Sequence, residues 1–348
     1  MAGFVIRRVL WAIVLFLVVT LAVFVLYFIV PTERDRFVRR TEADPVDVRQ
    51  ALRVSGPISH QYVTFVWNIV GHGYLGYSFV NRESVRQIIA DALPITASLI
   101  IGGVIIWLLI ALPVGIISAL RARSLLDRGT MTFVLLGISA HPVWIGLMVS
   151  YLLGYKLHWM PLGGYCAIFN PTEGCGGPVQ WAYHLILPWL TFAAYFAAIY
   201  ARMIRASVLE SLDEDYVRTA RAKGATERQV LRKHVLRNAL MPIVTMLAMD
   251  MGIAFGGALF VETAFGLNGL GSVLRQALRR QDLPVILGVT VVTTTAILFF
   301  NMVADILYAY IDPRIGIRQG RGLHEASPEI PTRASQRSVV SQGAQTFS

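Results

Sequence analysis

The charged residues of this chain are spaced so as to leave long gaps between them. Val9–Thr32, Ala92–Leu120, Gly129–Tyr155, Gly174–Ala201 and Leu283–Ala304 contain no Asp, Glu, Lys or Arg, and Asn238–Val261 is interrupted only by Asp250. Each run holds the roughly 20 apolar residues that cross a bilayer core as a helix. The pattern predicts six transmembrane helices in an all-α membrane protein, and it overrules the roughly two soluble domains that length alone suggests. Arg7-Arg8 is followed by about 22 apolar residues with no small-x-small cleavage site, so residues 1–30 are expected to be a retained first helix, not a signal peptide.

Residues 31–91, between the first two runs, are expected outside the cell membrane. Their stretch Ile58–Val70 is aromatic and apolar and is expected to form an amphipathic helix on the outer membrane surface, and Gly71–Gly76 reads as a turn. The segment is either a solvated linker or a compact external subdomain. About 60 structureless residues would be unusual in a packed protein, which favours the subdomain. Residues 92–311 hold the other five runs, and 312–348, rich in Ser, Gln, Arg and Pro, are expected to be a disordered cytoplasmic tail.

Composition agrees with this pattern: 55% of the 348 residues are hydrophobic and 15% are charged, against about 45–50% and about 25% in average globular proteins. A net charge of +10 invites a nucleic-acid reading, but the basic residues follow topology instead. Nineteen Lys and Arg fall in segments 7–8, 121–128, 202–237 and 314–337, on one side of a six-helix arrangement, and four fall in the two short loops opposite. The positive-inside rule then places both termini in the cytoplasm of a bacterial-type inner membrane. Cys166 and Cys175 lie in the second external loop, 156–184, where a disulfide is expected and two free thiols are the alternative. Two cysteines do not make a zinc site, and the seven histidines form no ligand cluster, so no metal is expected.

The most informative segment is SLDEDYVRTARAKGATERQVLRKHVLRNAL, Ser211–Leu240. Asp213-Glu214-Asp215 supply an acidic first turn, Tyr216–Lys223 a short helix, and Gly224 its C-cap. A second helix is expected from Thr226 or Glu227 into the fifth span, with Thr226 and Gln229 as a weak capping box. Charge alone leaves open whether this is a partner's handle or an ordinary basic loop.

The segment resembles the coupling loop of ABC importer permeases of the dipeptide and oligopeptide class, with Ala220-Arg221-Ala222-Lys223-Gly224 matching the usual core. Gly73–Ser78, Gly137-Ile138-Ser139 with Pro142 and Trp144, Leu157–Tyr165, Glu262–Gly271, Asp282-Leu283-Pro284 and Asn301 to Arg314 resemble other blocks of that class in order. Tyr74 stands where the class has Asp, and Asn268 where it has Pro. The resemblance spans roughly 1–30 and 73–318, and it implies a type I ABC importer permease fold with the coupling loop at about 205–238. It further implies a homologous second permease, two cytoplasmic ATPases or one fused ATPase, and an extracytoplasmic solute-binding protein as partners. ATP and Mg would sit on the ATPases, and this chain, which has no G-x-x-x-x-G-K-[ST], would bind no cofactor. Glu214, Asp215, Tyr216, Arg218, Ala220, Arg221, Ala222, Lys223 and Gly224 are then the expected coupling residues. The implied cargo is peptide, with a nickel chelate or another solute as the alternative within the class.

Ionisable groups inside spans cost about 2.5–3.5 kcal/mol each when central. Asp250 either lines the solute pathway, holding a positive group, or makes an interhelical bond. Asn301 and Asp305, four apart on one helix face, are expected to pair structurally, and Glu262 to cap or pair at an external turn. His141 before Pro142 reads as a packed hinge or a pathway residue, and Pro113 and Pro188 as hinges. Enzyme readings fail on spacing. His324-Glu325 has Pro328 where H-E-x-x-H needs histidine, and the stretch around Ser139 lacks the second glycine of G-x-S-x-G. A passive channel is the rival of a different class.

Overall fold

The computed structural model describes residues 2–28, 57–78, 80–139, 142–168 and 175–311. Residues 31–56 of the expected external subdomain, His141 and the tail from 312 lie outside the described residues. Among those described, five helices are long and apolar enough to cross a membrane.

The first is α1, Ala2–Phe28, followed by α2, Ile58–His72, and a small antiparallel hairpin of β1, Tyr77–Ser78, and β2, Glu83–Ser84. Helix α3, Val85–Leu120, begins where the Ser84 hydroxyl accepts from the Gln87 N–H, one full turn and more before the uncharged run starts. Helices α4, Leu125–Ser139, and α5, Pro142–Val149, occupy the third uncharged run, and α5 continues as a π-helical stretch, Ser150–Lys156. Helix α6 is Pro178–Asp213, and α7 is Asp215–Ala222. A helical connection, Glu227–Gln229, then π-helical Val230–Val235, then Leu236–Ala239, leads into α8, Met241–Phe265. Helices α9, Leu270–Arg280, and α10, Leu283–Ile311, complete the chain.

The third expected span is described as two stretches, α4 and α5, on either side of residues 140 and 141, which lie outside the described residues. The 15 residues of α4 reach about 22 Å, short of the about 30 Å hydrocarbon core. The 36-residue helices α3 and α6, by contrast, are each about 54 Å long and project well beyond it.

α3 and α6 pack along their length and form the centre of the core. Close approach requires glycine on α3: a Cβ at Gly102 would lie 2.1 Å from the Trp189 ring, and one at Gly115 would lie 2.8 Å from the Ala201 carbonyl. Between them runs an aromatic column. Fully buried Trp107 stacks on Phe196 with centroids 4.5 Å apart and touches Tyr200 at 5.6 Å. Helices α8 and α10 pack beside this pair, and α1 lies outermost against α10. One end of the bundle carries the hairpin, α9, the Cys166–Cys175 loop and the start of α6. The opposite end carries α7 and the turn from α3 to α4.

Candidate functional site

At the far end of α6 stands α7, the helix on which the coupling residues fall. Glu214 is its N-cap, Asp215 is in its first turn and Arg221 in its last, an arrangement that suits the helix dipole. Val217 and Ala220, three apart, are buried against the core; Glu214, Asp215, Tyr216, Arg218, Thr219, Arg221, Ala222 and Lys223 stay exposed. Gly224 adopts φ +81°, a left-handed turn open to glycine at little cost, and reverses the chain out of α7. The Thr226–Gln229 capping box is present, with the Thr226 hydroxyl accepting from the Gln229 N–H at 3.4 Å. Arg221 donates to Glu227 at 2.9 Å across the turn. The expected single second helix is instead interrupted by the π-helical turn Val230–Val235, whose Val230 and Val235 are buried while its basic residues Arg232 and Lys233 stay outside.

Beneath α7, a charged node ties three elements together. Arg205 of α6 makes a two-pronged pair with Asp127 of α4, at 2.7 and 2.8 Å. Asp127 also accepts from Ser118 of α3 and from the Arg123 N–H at 2.8 Å. The Arg205 guanidinium, with the Ser118 hydroxyl, holds the Asp127 carboxyl well below the usual carboxylate range. Sequence reasoning missed this node. Its signal was Ser124-x-x-Asp127, a helix-start pattern, which the structure uses through a bond from the Asp127 N–H to Ser124 at 3.2 Å.

Asp250, in α8, accepts from the Tyr200 hydroxyl of α6 at 2.8 Å and stays half-exposed. The bond is interhelical, but it lies within this chain and not with a second permease. On its flank Met249, Ile253, Gly256, Phe260 and Thr263 form an exposed seam at alternating steps of four and three residues. Asp305 pairs with Arg8 of α1 at 2.7 Å, whereas Asn301, one turn away, is exposed.

At the opposite end Glu262 is fully buried and takes hydrogen bonds from Thr96 at 2.6 Å and from the Ser272 N–H at 2.9 Å. It thereby caps α9 and pins α8 to α3. A Cβ at Gly269 would lie 2.3 Å from the Glu262 carboxylate, which explains that glycine of the GLNGLG turn. Ser78 donates to the buried carboxylate of Asp282, which anchors the GYS element to the start of α10. Burial pushes the Asp282 carboxyl up, against the lowering effect of the Ser78 bond. Beside it opens a cleft of about 490 Å3 lined by Asn81, Glu83, Asp91, Gln276 and Arg280 among others. Cys166 and Cys175 are joined as a disulfide with Cα atoms 5.3 Å apart. A Cβ at Gly163 of the same loop would meet the Phe265 carbonyl at 2.2 Å, so the loop lies directly on the end of α8.

A membrane-spanning helical bundle with a short, outward-facing amphipathic helix at one end is the class that these features define. Residues 111–317 match the family described as the binding-protein-dependent transport system inner membrane component, and residues 1–100 match the N-terminal component of such systems. A putative peptide permease of Brucella suis biovar 1 is 36% identical over 323 residues, which is 91% of this chain and all of the relative. A putative peptide transport system permease of Brucella abortus is 33% identical over 90% of this chain and 99% of the relative. A glutathione transport system permease of Escherichia coli O6:H1 is 36% identical over 90% of this chain and 99% of the relative. The chain belongs to the inner-membrane components of binding-protein-dependent transport systems, a family of ABC importer permeases.

Proposed function

We propose that this chain forms half of the translocation pathway of an ATP-driven peptide importer and couples to cytoplasmic ATPases through α7. The observation that carries the reading is the build of α7. Two buried side chains, Val217 and Ala220, seat it on the core, and its charged remainder faces outward at the tip of a helix that overshoots the membrane. Such a helix is a docking knob for a partner's groove, and movement of the partner acts on α6 through Glu214 and on α8 through residues 227–240. The relatives named for peptide and glutathione transport support the cargo class.

In this reading the α7 end and both termini are cytoplasmic, and the α9 end receives solute from an extracytoplasmic binding protein. A second homologous permease covers the exposed seam of α8. ATP and Mg sit on two ATPases or one fused ATPase, and this chain carries no nucleotide site. Asp250, oriented by Tyr200, presents its open carboxylate to the pathway and offers a counter-charge to a peptide's amino group.

Purification of the tagged chain in mild detergent, with mass spectrometry of what accompanies it, tests the assembly. A second permease of this family and P-loop ATPases are expected in the preparation. Recovery of the chain alone under conditions that keep it folded would contradict the proposal.

A further inference from the structure

Helix α2 is bonded to α1 well inside the uncharged run of α1. The Tyr62 hydroxyl donates to the carbonyl of Leu17 in α1 at 2.8 Å and lies 3.1 Å from the Thr20 hydroxyl. The uncharged run carried by α1 extends from Val9 to Thr32 and the helix itself to Phe28, so Leu17 lies eleven residues inside the end of the helix. That is a drop of about 16 Å at 1.5 Å per residue. A tyrosine side chain is too short to cover it, so part of α2 itself lies below the level where α1 ends. Phe24 packs on Tyr62 and Phe65 with centroids 5.5 and 5.9 Å apart, and Leu287 of α10 closes the same cluster.

The sides of α2 differ in kind. Gln61, Phe65 and Ile69 face α1 and α10, with Gln61 and Phe65 buried. Val63, Trp67 and Val70 form a second row that is 64%, 64% and 69% exposed. His60, Thr64 and Asn68 form a polar row, about a quarter turn from the exposed apolar one. Residues 58–72 contain no Asp, Glu, Lys or Arg. Val18 and Leu21 of α1, next in sequence to the Leu17 and Thr20 that Tyr62 meets, are also exposed. Trp67 falls between the apolar and polar rows, where an amphipathic indole suits a membrane boundary.

We infer that the Val63–Trp67–Val70 face of α2 is seated in the bilayer leaflet at the α9 end, with lipid acyl chains as its partner and the His60–Thr64 row turned to the headgroups. The helix is then a second, half-sunk anchor beside α1, and it fixes the level at which the hairpin and α9 stand over the membrane. The inference goes beyond the expectation of a helix lying on the outer surface by assigning its depth and the face that meets lipid. It rests on the chain spanning the membrane, and on neither the cargo nor the α7 reading.

The test is nitroxide labelling of the full chain in liposomes of phosphatidylethanolamine and phosphatidylglycerol. Labels go on Val63→Cys, Val70→Cys and His60→Cys, with Val18→Cys on α1 as the membrane reference; the native cysteines are held in their disulfide. Collision with oxygen, which concentrates in lipid, is compared with collision with a water-soluble nickel chelate. The ratio of oxygen to nickel access at 63 and 70 is expected to be severalfold that at 60 and close to that at 18. A lipid-like ratio at 18 with a water-like ratio at 63 and 70 would overturn the inference and leave the membrane reading standing. Shielding of 63 and 70 from both reagents would overturn it in favour of a protein partner. A water-like ratio at 18 would overturn the membrane reading together with the inference.

Discussion

Glu262 takes hydrogen bonds from a threonine hydroxyl in α3 and the first amides of α9, all inside the protein. Removing an acceptor of this kind strands its donors at about 1–3 kcal/mol each. Glu262→Ala is expected to cost about 3 kcal/mol, read as a lower unfolding midpoint in detergent, and Glu262→Gln, which keeps one carbonyl oxygen, to cost less. The Asp127–Arg205 pair gives a pH-dependent counterpart. Its carboxyl is held below the ordinary value of about 4, so its stabilisation is complete above that value and is lost as pH falls toward the folded-state value. Asp127→Asn is expected to cost about 3 kcal/mol, with a midpoint difference from the native chain that stays constant from about pH 8 to about pH 5 and narrows only below about pH 4. Asp250 makes the functional prediction at this scale. Asp250→Asn is expected to reduce uptake of peptides with a free amino terminus more than uptake of N-acetylated ones, whereas Tyr200→Phe, which frees the carboxylate, leaves the preference in place. Equal loss for both peptides with Asp250→Asn would assign it a structural role.

These residues were not equally legible. Glu262 and Asp305 stood out because a carboxylate at the edge of an apolar run needs a partner, and each makes such a bond, Glu262 with Thr96 and Asp305 with Arg8. Asp282 flanks an apolar run in the same way, but neither its partner nor that of Asp127 could be named from the sequence. Asp127 lies among arginines at the edge of a loop, and its partner is 78 residues away; the serine bonded to Asp282 is 204 residues away. Pairings of that separation are settled by packing, which hydrophobic pattern does not reveal.

Elements were legible where one strong signal marked them. Gaps between charges located five of the long helices, and Gly224 with Thr226–Gln229 located the turn after α7. The ends of helices were less visible, because α3 and α6 carry charged residues beyond the membrane and continue as helices regardless. The disulfide gives a prediction at this scale: a maleimide reagent on the denatured chain is expected to label no cysteine before reduction and two after it. Labelling of both thiols without reduction would return the loop to its alternative.

For the whole molecule, the two ends of the bundle are built differently. One end is fastened by Glu262, Asp282 and the disulfide; the other carries an amphipathic, outward-facing helix on a long lever. That asymmetry is what a pathway worked from one side requires, and it gives the account its central claim, that ATP hydrolysis on partner subunits is transmitted through α7. The most direct measurement is ATP-dependent accumulation of a labelled peptide in proteoliposomes holding the complete complex, with the native chain or with Arg218→Glu and Arg221→Glu in α7. Both side chains are exposed, so the fold is expected to persist. Accumulation that requires ATP and falls at least about tenfold in the variant, as loss of about 1.4 kcal/mol of docking energy would produce, is the result predicted. Accumulation that continues without ATP, or is untouched by the α7 substitutions, would contradict it.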